Sequence, residues 1–180
     1  MGLLDCLVLP PDEPELASAL AAADALLPLT GLAPLPVVFA DAAGYRWEGQ
    51  RGLWIALSPR CEHAALSLLH ELGHAVDHQL LGWGSERPGL DAWWAAVTRT
   101  RAFRSLCLAC SAEELGYWPT RRESFARSFA QWVAERAGAE DVLAEVERRA
   151  GGAGRQWSRD DFAPVAAELD RVLSPIAAAA

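Results

Sequence analysis

Apolar positions recur along the chain with two periods, and proline and glycine mark the boundaries between them. Over residues 12–28 (DEPELASALAAADALLP), Leu16, Leu20, Ala23 and Leu27 fall at helical spacing. Pro14 sits in the first turn, where its missing N–H does no harm. Pro28, Gly31, Pro34 and Pro36 then interrupt the chain. The segments LPVVFA (35–40) and GLWIALS (52–58) predict two strands, the second ended by Pro59. Between them, residues 41–52 carry Gly44, Gly49 and Gly52 and predict a turn with extended flanks around Tyr45 and Trp47.

Helical periodicity takes over from residue 62. One helix is predicted over 62–81, closed by Gly82 and Gly84, and another over 89–109 with Trp93, Trp94, Val97, Phe103 and Leu106 inward. A third, over 120–137, starts with Thr120 as N-cap after Pro119 and stops at Gly138. A fourth follows over 139–150, then a flexible GGAG link. Ser158 with Asp161 three residues on predicts a capping-box start for a last helix. The lead-in 1–11 is expected to be extended and the AAAA tail frayed. The order of helix, two or three strands, then helices predicts an α+β fold with a small mixed or antiparallel sheet near the N-terminus. There is no internal repeat, and 180 residues suit one domain, 1–180.

Composition narrows the class. Just over half the residues are apolar and eight are tryptophan, which suits a packed core. The net charge of −8 argues against a nucleic-acid partner, so the Arg99, Arg101, Arg104 group and the Arg121, Arg122 pair read as solvated helix faces. All sixteen basic residues are arginine. The start MGLLDCLVLPPDEPE has no basic region ahead of its short apolar run, and no apolar stretch is long enough to span a membrane. A cytoplasmic protein is the expectation, with signal-independent export left open. Among the four cysteines, Cys6, Cys61, Cys107 and Cys110, the last two form a lone CxxC without a second pair for a zinc site, and they read as buried free thiols with a redox pair as the alternative.

One segment carries chemistry: LSLLHELGHAVDHQL, with His70, Glu71 and His74. Residues four apart share a helix face, so both imidazoles can address one metal ion while Glu71 reaches a water bound to it. Leu68, Leu69, Leu72 and Val76 would bury that helix. A catalytic zinc needs three protein ligands and an open position. A third histidine six residues after the second is ruled out, because position 80 is Leu. His78 continues the same stripe, but His70 and His78 lie about 12 Å apart along the axis, too far for one ion. A carboxylate from another helix remains. Glu123, at the start of TRRESFARSFAQWV, is either that ligand or a first-turn acid favoured by the helix dipole.

The segments LLHELGHAVDH and GYWPTRRESFARSFAQWV resemble the two halves of a gluzincin site in the anthrax lethal factor-like peptidases. They resemble more closely the small metallopeptidase-like domains of large polyvalent proteins of phages and mobile elements. The resemblance covers about residues 36–136 within a domain whose C-terminal helices span 139–173, and whether it takes in the last helix (WSRDDFAPVAAELDRVL) is left open. It implies a zincin-like fold and a zinc endopeptidase with His70, His74 and Glu123 as ligands and Glu71 as general base. It further implies that the Tyr117 phenol hydrogen-bonds the oxyanion and that Asp77 accepts a hydrogen bond from a ligand histidine. The strand GLWIALS would lie along the cleft and pair with an extended peptide. Two departures stand out. Arg127 occupies a position where relatives often carry a second acid, and Trp118 competes with Tyr117 for the aromatic place. The partner implied is a protein or peptide substrate, with oligomeric state open. Three readings follow: a general peptidase, a regulatory protease cleaving one partner, or a catalytically silent module that kept the fold.

Overall fold

The computed structural model of the chain describes residues 7–27, 31–48, 52–150 and 155–178. Cys6, the GGAG link and the last two alanines lie outside the described residues. The fold is α+β, with a small four-stranded mixed sheet.

The first helix, α1 (Pro14–Leu26), opens on its proline and buries Leu16, Leu20 and Ala23 as the spacing predicts. Strands β1 (Leu7–Val8), β2 (Leu35–Phe39), β3 (Gly44–Glu48) and β4 (Gly52–Leu57) form the sheet in the order β1-β2-β4-β3. The β1–β2 and β2–β4 pairs are parallel, and β3 runs antiparallel to β4 with Tyr45 opposite Ile55. The extended flank expected around Tyr45 and Trp47 is β3. One expectation is extended, since part of the lead-in pairs as β1. A correction concerns the cleft: β4, expected to pair with a peptide, lies between β2 and β3 and has no free edge. The edge strands are β1 and β3.

Helix α2 (Ala64–Gln79) packs beneath the sheet with Leu68, Leu69, Leu72 and Val76 fully buried. The predicted 89–109 helix is two helices, α3 (Asp91–Arg99) and α4 (Arg101–Ala109), separated by Thr100 in an extended conformation. Thr100 Oγ1 donates to the Val97 carbonyl at 2.7 Å and accepts from the Phe103 amide at 3.1 Å and the Trp157 indole at 3.0 Å. Its side chain thus ends one helix, caps the next and holds a buried tryptophan.

Helix α5 (Arg121–Ala137) has the predicted ends, with Thr120 capping the Glu123 amide and Gly138 at φ 64°. Helices α6 (Glu140–Ala150) and α7 (Arg159–Ala178) complete the chain. Asp161 caps in trans: its carboxylate accepts from the Arg101 and Ala102 amides at the start of α4. The cysteines at 61, 107 and 110 are free thiols, and Cys107 and Cys110 are only partly buried, contrary to expectation. Arg121 and Arg122 pair with Asp91 and Glu86 on exposed helix faces. Among the described residues no helix is long and apolar enough to cross a membrane.

The contact that positions everything else is the crossing of α2 and α5. A Cβ at Gly73 would lie 2.8 Å from Ala126 Cα and 3.1 Å from the Ala126 carbonyl oxygen. Only a glycine lets two helices approach so closely. The crossing point falls between His70 and His74 in sequence, so the histidines flank the place where α5 comes nearest.

Candidate metal centre

His70 and His74 stand one turn apart on α2, their rings edge to face with centroids 4.9 Å apart. His70, Glu71 and His74 form a group that could hold a metal ion, each offering a donor atom within 4.8 Å of the others. Glu123 enters from the first turn of α5. Its amide is capped by Thr120, while its side chain turns inward and is buried. One carboxylate oxygen lies 3.3 Å from His70 Nε2 and the other 3.2 Å from His74 Nε2.

Those separations are informative. A charge-assisted N–H···O bond is usually about 2.7–2.9 Å long. Ligand atoms about 2.0–2.1 Å from a tetrahedral zinc are about 3.3–3.4 Å from one another. The two nitrogen–oxygen distances match the second case. Glu123 Oε2 is moreover buried without a hydrogen bond of good geometry, although the His70 imidazole faces it. The donor set of two Nε2 atoms and a carboxylate can therefore hold a metal ion.

The charges respond to this crowding. Burial opposes a charge on His74, but Glu123, Glu71 and Asp77 outweigh it and hold the imidazole above its ordinary range. Burial likewise opposes the Glu123 carboxylate, yet both histidines hold it far below the usual carboxylate range. Glu71 goes the other way. Burial raises it, and Glu123 adds to that, against the lowering effect of the two histidines and the Tyr45 backbone. Two carboxylates in one site are thus pushed in opposite directions, Glu71 toward holding a proton and Glu123 toward staying ionised.

The remaining expectations fall out unevenly. Tyr117 is 53% exposed, but its phenol lies beside both carboxylates, and burial together with Glu123 and Glu71 raises it well above the ordinary tyrosine range. Trp118 stacks edge-on against Tyr117, and its carbonyl accepts from Arg127, so both aromatics border the site while the tyrosine alone presents a hydroxyl. Asp77 is completely buried, but both its oxygens accept from Ser85, from the amide at 2.8 Å and the hydroxyl at 2.5 Å. It acts on His74 through its charge and spends its hydrogen bonds on fixing the loop after α2. His78 stays outside the cluster, stacked on Trp83 at 4.5 Å. The Tyr45 hydroxyl accepts from Gln79 Nε2 at 3.1 Å and so is left to donate to His78 Nδ1 at 2.8 Å. Gln79 Oε1 in turn accepts from the Ala33 amide.

A cavity of about 210 Å³ opens beside the cluster, bordered by His70, Glu71, Tyr117, Trp118, Arg127 and Gln156. Arg127 is a site residue that the sequence shows only as a departure from relatives. It is buried and donates to the carbonyls of Glu123, Trp118 and Arg155 and to the Ser124 hydroxyl. Burial pushes its guanidinium down to about 10. Gln156 and Gly73 carry no sequence signal for their places here. No family model matches the chain, and no match is found among curated proteins or solved structures.

Proposed function

We propose that this chain is a zinc-dependent endopeptidase of gluzincin type on a zincin-like fold. His70, His74 and Glu123 would be the ligands, Glu71 the general base. The observation that carries this reading is the Glu123 carboxylate, brought from a separate helix and buried with one oxygen 3.3 Å and the other 3.2 Å from the two Nε2 atoms. Glu71 belongs to the same cluster but is assigned differently. Its proton affinity is raised, which suits a group that accepts and then passes on a proton, whereas Glu123 is kept ionised, the property a ligand needs.

A zinc ion held by these three side chains would supply the Lewis acidity that polarises a scissile carbonyl and acidifies the attacking water. The chain's own groups do the rest. A Glu71 carboxylate oxygen takes the proton of that water and passes it to the leaving amine. The Tyr117 hydroxyl, kept protonated, donates a hydrogen bond to the developing oxyanion. The free edge of β3, whose Tyr45 backbone reaches Glu71, offers main-chain groups to an extended peptide.

The test is Glu71→Gln, which should keep its zinc by metal analysis and lose peptide hydrolysis. Substantial turnover by the variant would remove Glu71 as base. A wild type that holds zinc but cleaves no protein or peptide would favour the silent module instead.

A further inference from the structure

The cavity beside the metal centre is lined by three arginines, Arg127, Arg149 and Arg155, against one carboxylate, Glu71, in a chain whose net charge is −8. Arg149 is committed to Glu145, with which it forms a close ion pair. The other two have no carboxylate in an ion pair among the described residues. Arg127, 3% exposed, is hydrogen-bonded to three carbonyls and a hydroxyl, all neutral. Arg155 lies over the Trp118 ring, 4.4 Å from its centroid, with its charge at the mouth. The nearest carboxylate to Arg127 is Glu123, which acts on it through space but turns its oxygens to the two histidines, so the guanidinium is left with neutral hydrogen-bond partners and can take a further anion. The same wall holds an unsatisfied group. Gln156 is 3% exposed, and its side-chain oxygen is buried with no hydrogen-bond partner. It needs a donor.

We infer that this cavity is a carboxylate-binding subsite, receiving an acidic group of the substrate on Arg127 and Arg155 while Gln156 accepts an amide N–H of the same residue. As a specificity pocket this rests on the peptidase reading above. A peptide residue offers both chemistries, whereas a bare phosphate offers no N–H for Gln156. The volume of about 210 Å³ suits one amino-acid residue and falls below the roughly 300 Å³ at which pockets for larger ligands begin. Trp118 supplies a flat apolar side for the methylenes. The carboxylate has two possible sources: an Asp or Glu side chain, or the free C-terminus of a peptide.

The experiment uses the full chain stripped of metal by chelation, so that a carboxylate cannot bind through an ion. Three probes are titrated by calorimetry and by tryptophan fluorescence: N-acetylglutamate α-amide, N-acetylglutamine as free acid, and the neutral N-acetylglutamine amide. One acidic probe or both should bind about tenfold or more tightly than the neutral one, as a charge-assisted pair demands. The acid that binds identifies the source. Arg155→Gln should abolish that preference while leaving zinc content and melting temperature at wild-type values. Arg127→Gln should abolish it too, and Arg155→Gln keeps the test decisive if the buried variant fails to fold. Equal binding of all three probes, no binding in the low millimolar range, or an unchanged preference in Arg155→Gln would overturn the subsite. Carboxylate preference in a protein that holds no zinc and cleaves no peptide would retain the subsite and sink the peptidase.

Discussion

Replacing Gly73 by alanine tests the helix crossing on which the metal centre depends. The added Cβ would meet Ala126 Cα at 2.8 Å and Phe129 Cβ at 3.2 Å. Carbon atoms pack at about 3.5 Å or more, so the backbone contact falls short by about 0.7 Å. The atom in the way belongs to the α5 backbone, so no rotamer change relieves the clash. Alanine stabilises an isolated helix by about 1 kcal/mol relative to glycine. Overpacking of this kind costs about 1–3 kcal/mol, so the net effect should be a loss of up to about 2 kcal/mol. The functional effect should be larger. Glu123 stands one turn before Ala126, and its oxygens lie 3.2 and 3.3 Å from the histidine nitrogens. Metal sites tolerate errors of about 0.2 Å in ligand distance, several times less than the displacement the clash requires. Urea denaturation of the metal-free protein would measure the first effect, and competition with a chromophoric chelator the second. A Gly73→Ala protein that gains about 1 kcal/mol and binds zinc as before would refute both the crossing and its role.

Other outcomes follow from single contacts. Glu123→Ala should lose most of its zinc by metal analysis while remaining folded; unchanged zinc content would exclude it from the ligands. Thr100→Val removes the cap of α4 and strands the Trp157 indole N–H. It should lower stability by about 1–3 kcal/mol in urea denaturation. Asp170 is held below its ordinary range chiefly by Arg136, with Trp132 assisting. Because its folded value is depressed, its contribution is present above the ordinary carboxylate range and fades as pH falls through the folded value. Asp170→Asn should therefore destabilise slightly at pH 7, by less than about 1 kcal/mol for so exposed a pair, and not at all in strong acid. Equal destabilisation at both pH values would contradict the assignment.

Much of the frame was legible because local signals set it. Pro14, Thr120 and Gly138 each act on their own turn, and the helix ends fall where they predict. The spacing of His70 and His74 likewise needs only a helix to place both on one face. What escaped depends on residues far apart in sequence. The extended character of β3 (GYRWE) around Tyr45 and Trp47 was legible, but its antiparallel partner β4 was not, because register depends on both strands. The break at Thr100 is fixed by Trp157, and Asp161 serves α4 rather than its own helix. Glu123 could be read either as a first-turn acid or as a ligand. Both descriptions are partly true, since its amide is capped while its carboxylate faces the histidines. Gly73 could not be distinguished from any residue between two ligands until α5 was seen against it.

The bond from Tyr45 to His78 has a consequence for how a polypeptide would be measured. It fastens the outermost strand to the end of the helix that carries the histidines, with Gln79 anchoring the same knot to Ala33. Sliding of one against the other would break these bonds. In a peptidase built this way, the bond to be cut is counted off from the strand like a length along a ruler, and the fastening sets its zero.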